Sequence, residues 1–188
     1  MELTPQQKAA RPLLYIGLAS IAMSFAGLTS GYVVARSALS AKSQWQTIEL
    51  PVWFYLSAGL IALSSIVLMR AQNQVKSGGD ARLPMVLTLI MAVLFAVCQV
   101  FGWNALTDQN IFFTGPGSRP EASWLYVITW FHWIHILVGI IVLGRMVWRS
   151  ARGYYVGAKI LRFTLGAQFW HFLGFLWFYL LGFLIILR

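Results

Sequence analysis

The chain has 188 residues, 59% of them hydrophobic and only 10% charged, with a formal charge of +9 and a mean hydropathy of +0.72. A water-soluble domain carries about a quarter charged residues, so this composition excludes one and points to lipid as the surrounding medium. The positive charge also fails to support nucleic-acid binding, because the basic residues sit in short segments between apolar stretches, where they set membrane orientation.

Five stretches of 19 to 25 residues contain no Asp, Glu, Lys or Arg. About 20 residues cross the hydrocarbon core as a helix, and lipid offers no partners to an unpaired backbone. The alternation of a membrane-barrel strand is absent. The first stretch, Leu13 to Ala35, predicts a span over 13–36. It exceeds a signal-peptide core of about 7–15 residues and is expected to be retained. Ser20, Ser24, Gly27 and Gly31 share one face of it, and Gly27 with Gly31 forms a GxxxG pair suited to close helix packing.

The second span is placed over 51–69 and the third over 83–103, with a Ser77-Gly78-Gly79-Asp80 turn between them. The third holds Cys98, the sole cysteine, so no intramolecular disulfide forms. It also holds Gln99, with Asn104 just beyond; buried amides of this kind hydrogen-bond across helices. The longest connection follows, Asn104 to Glu121, with a turn at Gly115-Pro116-Gly117-Ser118-Arg119-Pro120. The fourth span, 122–148, carries His132, His135 and Gly139; the fifth, 163–187, carries Gly166, Gln168, Trp170, His171, Gly174, Trp177 and Gly182. No repeat and no soluble module interrupts this pattern, so residues 1–188 read as one transmembrane domain.

Alternating the five spans puts ten Lys and Arg on the side of the N-terminus and four on the other. The positive-inside bias therefore predicts a cytoplasmic N-terminus and a periplasmic C-terminus. Aromatic belts mark the same boundaries: Trp45, Trp53, Tyr55, Trp103, Trp124 and Tyr126 on the outer side, and Tyr15, Trp148, Tyr154 and Tyr155 on the inner side.

The spans contain little to do chemistry with. Proton relays and ion-coupled transporters place ionisable residues in the membrane, yet the five stretches have only histidines: His132 and His135, three apart on one side of a helix, and His171. Three histidines invite a metal site, and two at one depth invite a haem. The competing reading gives each a hydrogen bond to a neighbouring helix and a packing role. It is favoured because no carboxylate or second cysteine is available to complete or orient a site. No Cys-x-x-Cys-His, phosphate loop, nucleophile elbow or zinc-protease helix occurs.

Two segments resemble a known family. Phe131 to Gly139 reads F-H-W-I-H-I-L-V-G, and Phe169 to Phe178 reads F-W-H-F-L-G-F-L-W-F. Together they resemble subunit III of the haem-copper terminal oxidases, with its F-H-G-x-H-V-x-x-G and Y-W-H-F-V-D-x-x-W segments. Phe25 to Tyr32, F-A-G-L-T-S-G-Y, is similar to that family's F-A-G-x-x-x-A-Y. The resemblance implies an all-α bundle of five transmembrane helices, a type lacking the two leading helices of seven-helix members. It implies a non-catalytic accessory subunit of cytochrome c oxidase in aerobic respiration, in a bacterial inner membrane. The haems and copper then belong to the partners, catalytic subunit I and copper-binding subunit II. Catalytic, cofactor and metal residues are then absent from this chain. Bound phospholipid and a larger respiratory supercomplex are further implied associations. The packing positions become His132, His135, Gly139, Trp170, His171, Trp177, Gly27 and Gly31.

Three positions depart from the family pattern: Ile21 and Gly174 stand where carboxylates are common, and Trp133 where a glycine separates the histidines. The first two weaken any proton-buffering role. Alternatives are subunit III of a quinol oxidase, a subunit-III-like protein of nitric oxide reductase, a small membrane transporter, or a haem-b membrane anchor.

Overall fold

The computed structural model describes residues 5–41, 45–155 and 160–187, with side chains from Ala9 onward. Five α-helices account for most of them: α1 (Pro5–Ser40), α2 (Val52–Lys76), α3 (Arg82–Asp108), α4 (Pro120–Ala151) and α5 (Ile160–Leu187). All five are long and apolar enough to cross a membrane. Each runs past its expected span, α1, α2 and α3 by a turn or more. The charge-free stretch marks what lipid tolerates, whereas the helix continues until a turn residue stops it. Lys42, Lys159 and Arg188, and the side chain of Lys8, lie outside the described residues.

Local chemistry explains the ends. Pro120 opens α4 after an extended Arg119 (φ −121°, ψ 144°), a proline at N1 losing no hydrogen bond. At the end of α2, Gly78 takes φ +74° and Gly79 N–H donates to Gln74 O over 2.8 Å. That left-handed closure is the one a glycine adopts without strain. Gly115 (φ +103°) and Gly117 (φ +89°) turn the α3–α4 connection where the sequence expects it.

Helices α2, α3, α4 and α5 form a closed ring, in which each packs on the next and α5 returns to α2. Helix α1 lies outside the ring against α4 and α5. It is mostly exposed, with Phe25, Thr29 and Tyr32 among its few buried residues. The ring interior is aromatic and aliphatic: Phe54 and Ile61 from α2, Phe95 from α3, Ile136 from α4, Trp170, Leu173 and Trp177 from α5. At one end of the bundle, the C-terminal end, residues 45–50 and the start of α4 lie by the end of α5.

Candidate functional site

The polar and aromatic centre of the ring is built on the buried faces of α4 and α5. On α4 the buried positions include His132, Ile136, Gly139, Leu143 and Met146; on α5 they include Phe163, Gly166, Trp170, Leu173, Trp177 and Leu184. Both follow the three-and-four spacing of one helical face.

His132 is 0% exposed. Its ring stacks on Trp177, with centroids 5.3 Å apart and planes 22° from parallel. Phe95 and Phe25 meet it edge-on at 6.2 and 6.1 Å. Neither ring nitrogen has a hydrogen-bond partner among the described residues, and neither has the Trp177 indole N–H. His135 lies against Phe131 (4.9 Å) and Phe25 (5.7 Å), and its Nδ1 is 2.7 Å from Phe131 O on its own helix. His171 is partly buried with Nε2 unpartnered. The expected helix-to-helix hydrogen bonds from the histidines are therefore not what holds the bundle. His132 is engaged through its ring faces and edges, and His135 through its own backbone. Among the described residues no three His, Cys, Asp or Glu are grouped as metal ligands.

The cross-helix hydrogen bonds come from other residues. Ser57 Oγ donates to Phe54 O (2.7 Å) and accepts from Gln99 Nε2 (2.8 Å). Ser64 Oγ donates to Ile61 O (2.8 Å) and accepts from Trp170 Nε1 (3.0 Å). Thr129 Oγ1 donates to Leu125 O (2.9 Å) and accepts from Trp103 Nε1 (3.1 Å). The pattern repeats one device. A small hydroxyl places its hydrogen on its own helix and offers its lone pairs to the next one. Gln99 behaves as the sequence suggests, whereas Ser57, Ser64 and Thr129 are missed there. The signal available was the seven-residue spacing of Ser57 and Ser64 on one face of α2.

Close approach relies on glycine at specific points. A Cβ at Gly139 would lie 2.9 Å from Leu173 Cδ1 and 3.1 Å from Trp170 Cε3, and one at Gly31 would lie 2.7 Å from Trp124 Cη2. A Cβ at Gly166 would fall on Met146 Sδ. Gly27 has nothing within 4 Å, so the GxxxG pair works through Gly31 alone. The departures from the family pattern also find places. Trp133 Nε1 donates to Ala96 O (3.2 Å) and its ring meets Trp103 at 5.6 Å, so the indole fills the α3–α4 seam. Gly174 faces Ile61 and Ser65 at ordinary contact distance.

Comparison with known proteins adds the family. The family model described as cytochrome c oxidase subunit III matches residues 43–187. A cytochrome c oxidase subunit 3 of Synechocystis is 26% identical over 157 residues, covering 81% of this chain and 65% of that protein. The chain thus spans just under two thirds of that relative's length. A cytochrome c oxidase subunit 3 of Thermostichus vulcanus is 28% identical, covering 93% of this chain and 85% of its own. A probable cytochrome c oxidase subunit 3 of Nocardia farcinica is 24% identical, covering 86% and 80% respectively. The family match takes in the α4 and α5 faces on which His132, Gly139, Trp170 and Trp177 meet, and the chain belongs to the cytochrome c oxidase subunit III family.

Proposed function

We propose that this chain is the accessory subunit of a haem-copper terminal oxidase of the cytochrome c oxidase type, a multi-pass protein that supports a separate catalytic subunit. The observation that carries this reading is the match over residues 43–187, which includes the His132–Trp177 and Gly139–Trp170 contacts. The partners are catalytic subunit I, which holds the haems and a copper, and the copper-binding subunit II. The packing of His132 supports leaving the metals to the partners. Both of its ring nitrogens are buried, and Trp177, Phe95 and Phe25 pack around the ring.

The bilayer is a bacterial inner membrane, with the N-terminus on the cytoplasmic side. The ten-to-four distribution of Lys and Arg supports that orientation, and the relatives described above are bacterial. Phospholipid covers the apolar outer faces of the helices that no partner subunit occupies. The relatives carry the cytochrome c oxidase name, which favours that donor over a quinol and over association with nitric oxide reductase.

The test is purification in mild detergent through a tag on this chain, followed by mass spectrometry and an optical spectrum. Co-elution with a large polytopic haem protein and a copper-binding subunit is expected. A lone, colourless, stable protein would overturn the accessory reading in favour of a small transporter, and a lone red one in favour of a haem anchor.

A further inference from the structure

At the C-terminal end of the bundle, Glu121 sits in the first turn of α4 and is only 2% exposed. Neither carboxylate oxygen has a hydrogen-bond partner among the described residues. The nearest cation among the described residues, Arg119 Nη1, is 3.8 Å from Oε1, beyond hydrogen-bond length. The same Nη1 donates to Gln46 Oε1. Trp45 lines the same cavity as Glu121, and its buried indole N–H is also without a partner among the described residues. The Trp45 ring is held edge-on to Tyr32 at 5.2 Å. Tyr32 in turn is tied down by its hydroxyl, which donates to Leu187 O over 2.9 Å. Glu121, Trp45, Tyr32 and Gln46 line one cavity of about 10 Å³, walled by Ile48 and Leu125.

We propose that this cavity is a binding site for one ordered water, which accepts from Trp45 Nε1 and donates to the Glu121 carboxylate. Size and chemistry converge on that occupant. A cavity of ~10–15 Å³ accommodates about one water. A buried carboxylate with an arginine at 3.8 Å but no hydrogen bond is only partly compensated for its desolvation, and the indole N–H can only donate. The bridging group must therefore accept on one side and donate on the other. A metal cation cannot accept from the indole, and it would sit in a place where Arg119 already supplies positive charge. An anion would be repelled by Glu121. Water satisfies both sides, and its second hydrogen and second lone pair remain for Tyr32 or Gln46. The site pins the 45–50 connection onto α4 and α5, whose Leu184 closes the cavity.

The test is a density map of the detergent-purified protein, with whichever subunits accompany it, at a resolution that shows ordered water. A single peak is expected within about 3.2 Å of both a Glu121 oxygen and Trp45 Nε1, unchanged when sodium in the buffer is replaced by choline. Trp45→Phe, which removes only the N–H, is expected to lose the peak, and Glu121→Gln to keep it. A map without the peak, with Glu121 closed directly onto Trp45 or an arginine, overturns the proposal. So does a peak that vanishes with sodium, which makes the site a cation site, or one that persists in Trp45→Phe. The wild-type map decides even where a variant fails to fold.

Discussion

A hydroxyl buried between transmembrane helices must place its own hydrogen before it can serve a neighbour. Ser57 and Ser64 do so on the carbonyls three residues back, which leaves their lone pairs for Gln99 and Trp170. Ser64→Ala leaves the Trp170 indole N–H unmatched inside the ring, and Ser57→Ala does the same to the Gln99 amide. Each is expected to lower stability in mild detergent by ~0.5–2 kcal/mol, read as a fall in the thermal midpoint. An unchanged midpoint in both variants would show that these bonds carry no net weight. His132 offers the opposite case. Its contacts run through the ring, and its buried nitrogens have no partners among the described residues. His132→Phe keeps an aromatic ring and removes two unpaired polar atoms, so stability and assembly are expected to hold or improve slightly. A loss comparable to that of His132→Ala would mean that a partner subunit or a water bonds the imidazole.

At the scale of the helices, glycine decides where two backbones come close. Gly139→Ala drives a methyl group against Leu173 and Trp170, an overpacking expected to cost ~1–3 kcal/mol. Gly27→Ala meets nothing within 4 Å and is expected to stay within ~0.5 kcal/mol of wild type. Equal thermal shifts in the two variants would contradict this geometry. The contrast also shows what the sequence could reveal. Absence of charge over about 20 residues gives the five helices and their order, because lipid excludes ions wherever the helix is in contact with it. It does not give the helix ends, since α2 continues through Arg70 to Lys76 and stops only at Gly78. Nor does it give the buried face of α5, where Phe, Leu, Trp and Ile surround the helix on all sides. In a soluble helix the polar side marks solvent; here lipid is as apolar as the core, so that contrast disappears. Gly139, Trp170 and Trp177 were legible only as members of family motifs; Gly139 lies against Trp170, and Trp177 against His132. The displacement of α1 outside it was illegible, because the small-residue face of Ser20, Ser24, Gly27 and Gly31 suggests tighter packing than α1 has.

For the whole molecule, the distribution of charge controls how the bundle sits in the bilayer. Lys and Arg are drawn to the cytoplasmic side during insertion, and the bias is counted over short loops such as these. The α2–α3 connection is framed by Arg70, Lys76 and Arg82, whereas the α3–α4 connection holds only Arg119. Ser77 is exposed in the first and Thr114 in the second, so a single cysteine at either site reports its compartment once Cys98 has been replaced by serine. With a membrane-impermeant maleimide on intact cells, Thr114→Cys is expected to be labelled at once, and Ser77→Cys only after the inner membrane is opened. The reverse pattern would place the N-terminus outside and carry Glu121 and its cavity to the cytoplasmic face, since both lie on the same end of the bundle as Thr114. Labelling of both sites in intact cells would mean that the helices do not alternate across the bilayer. The ring of α2 to α5 would then not be a simple up-and-down arrangement of spans.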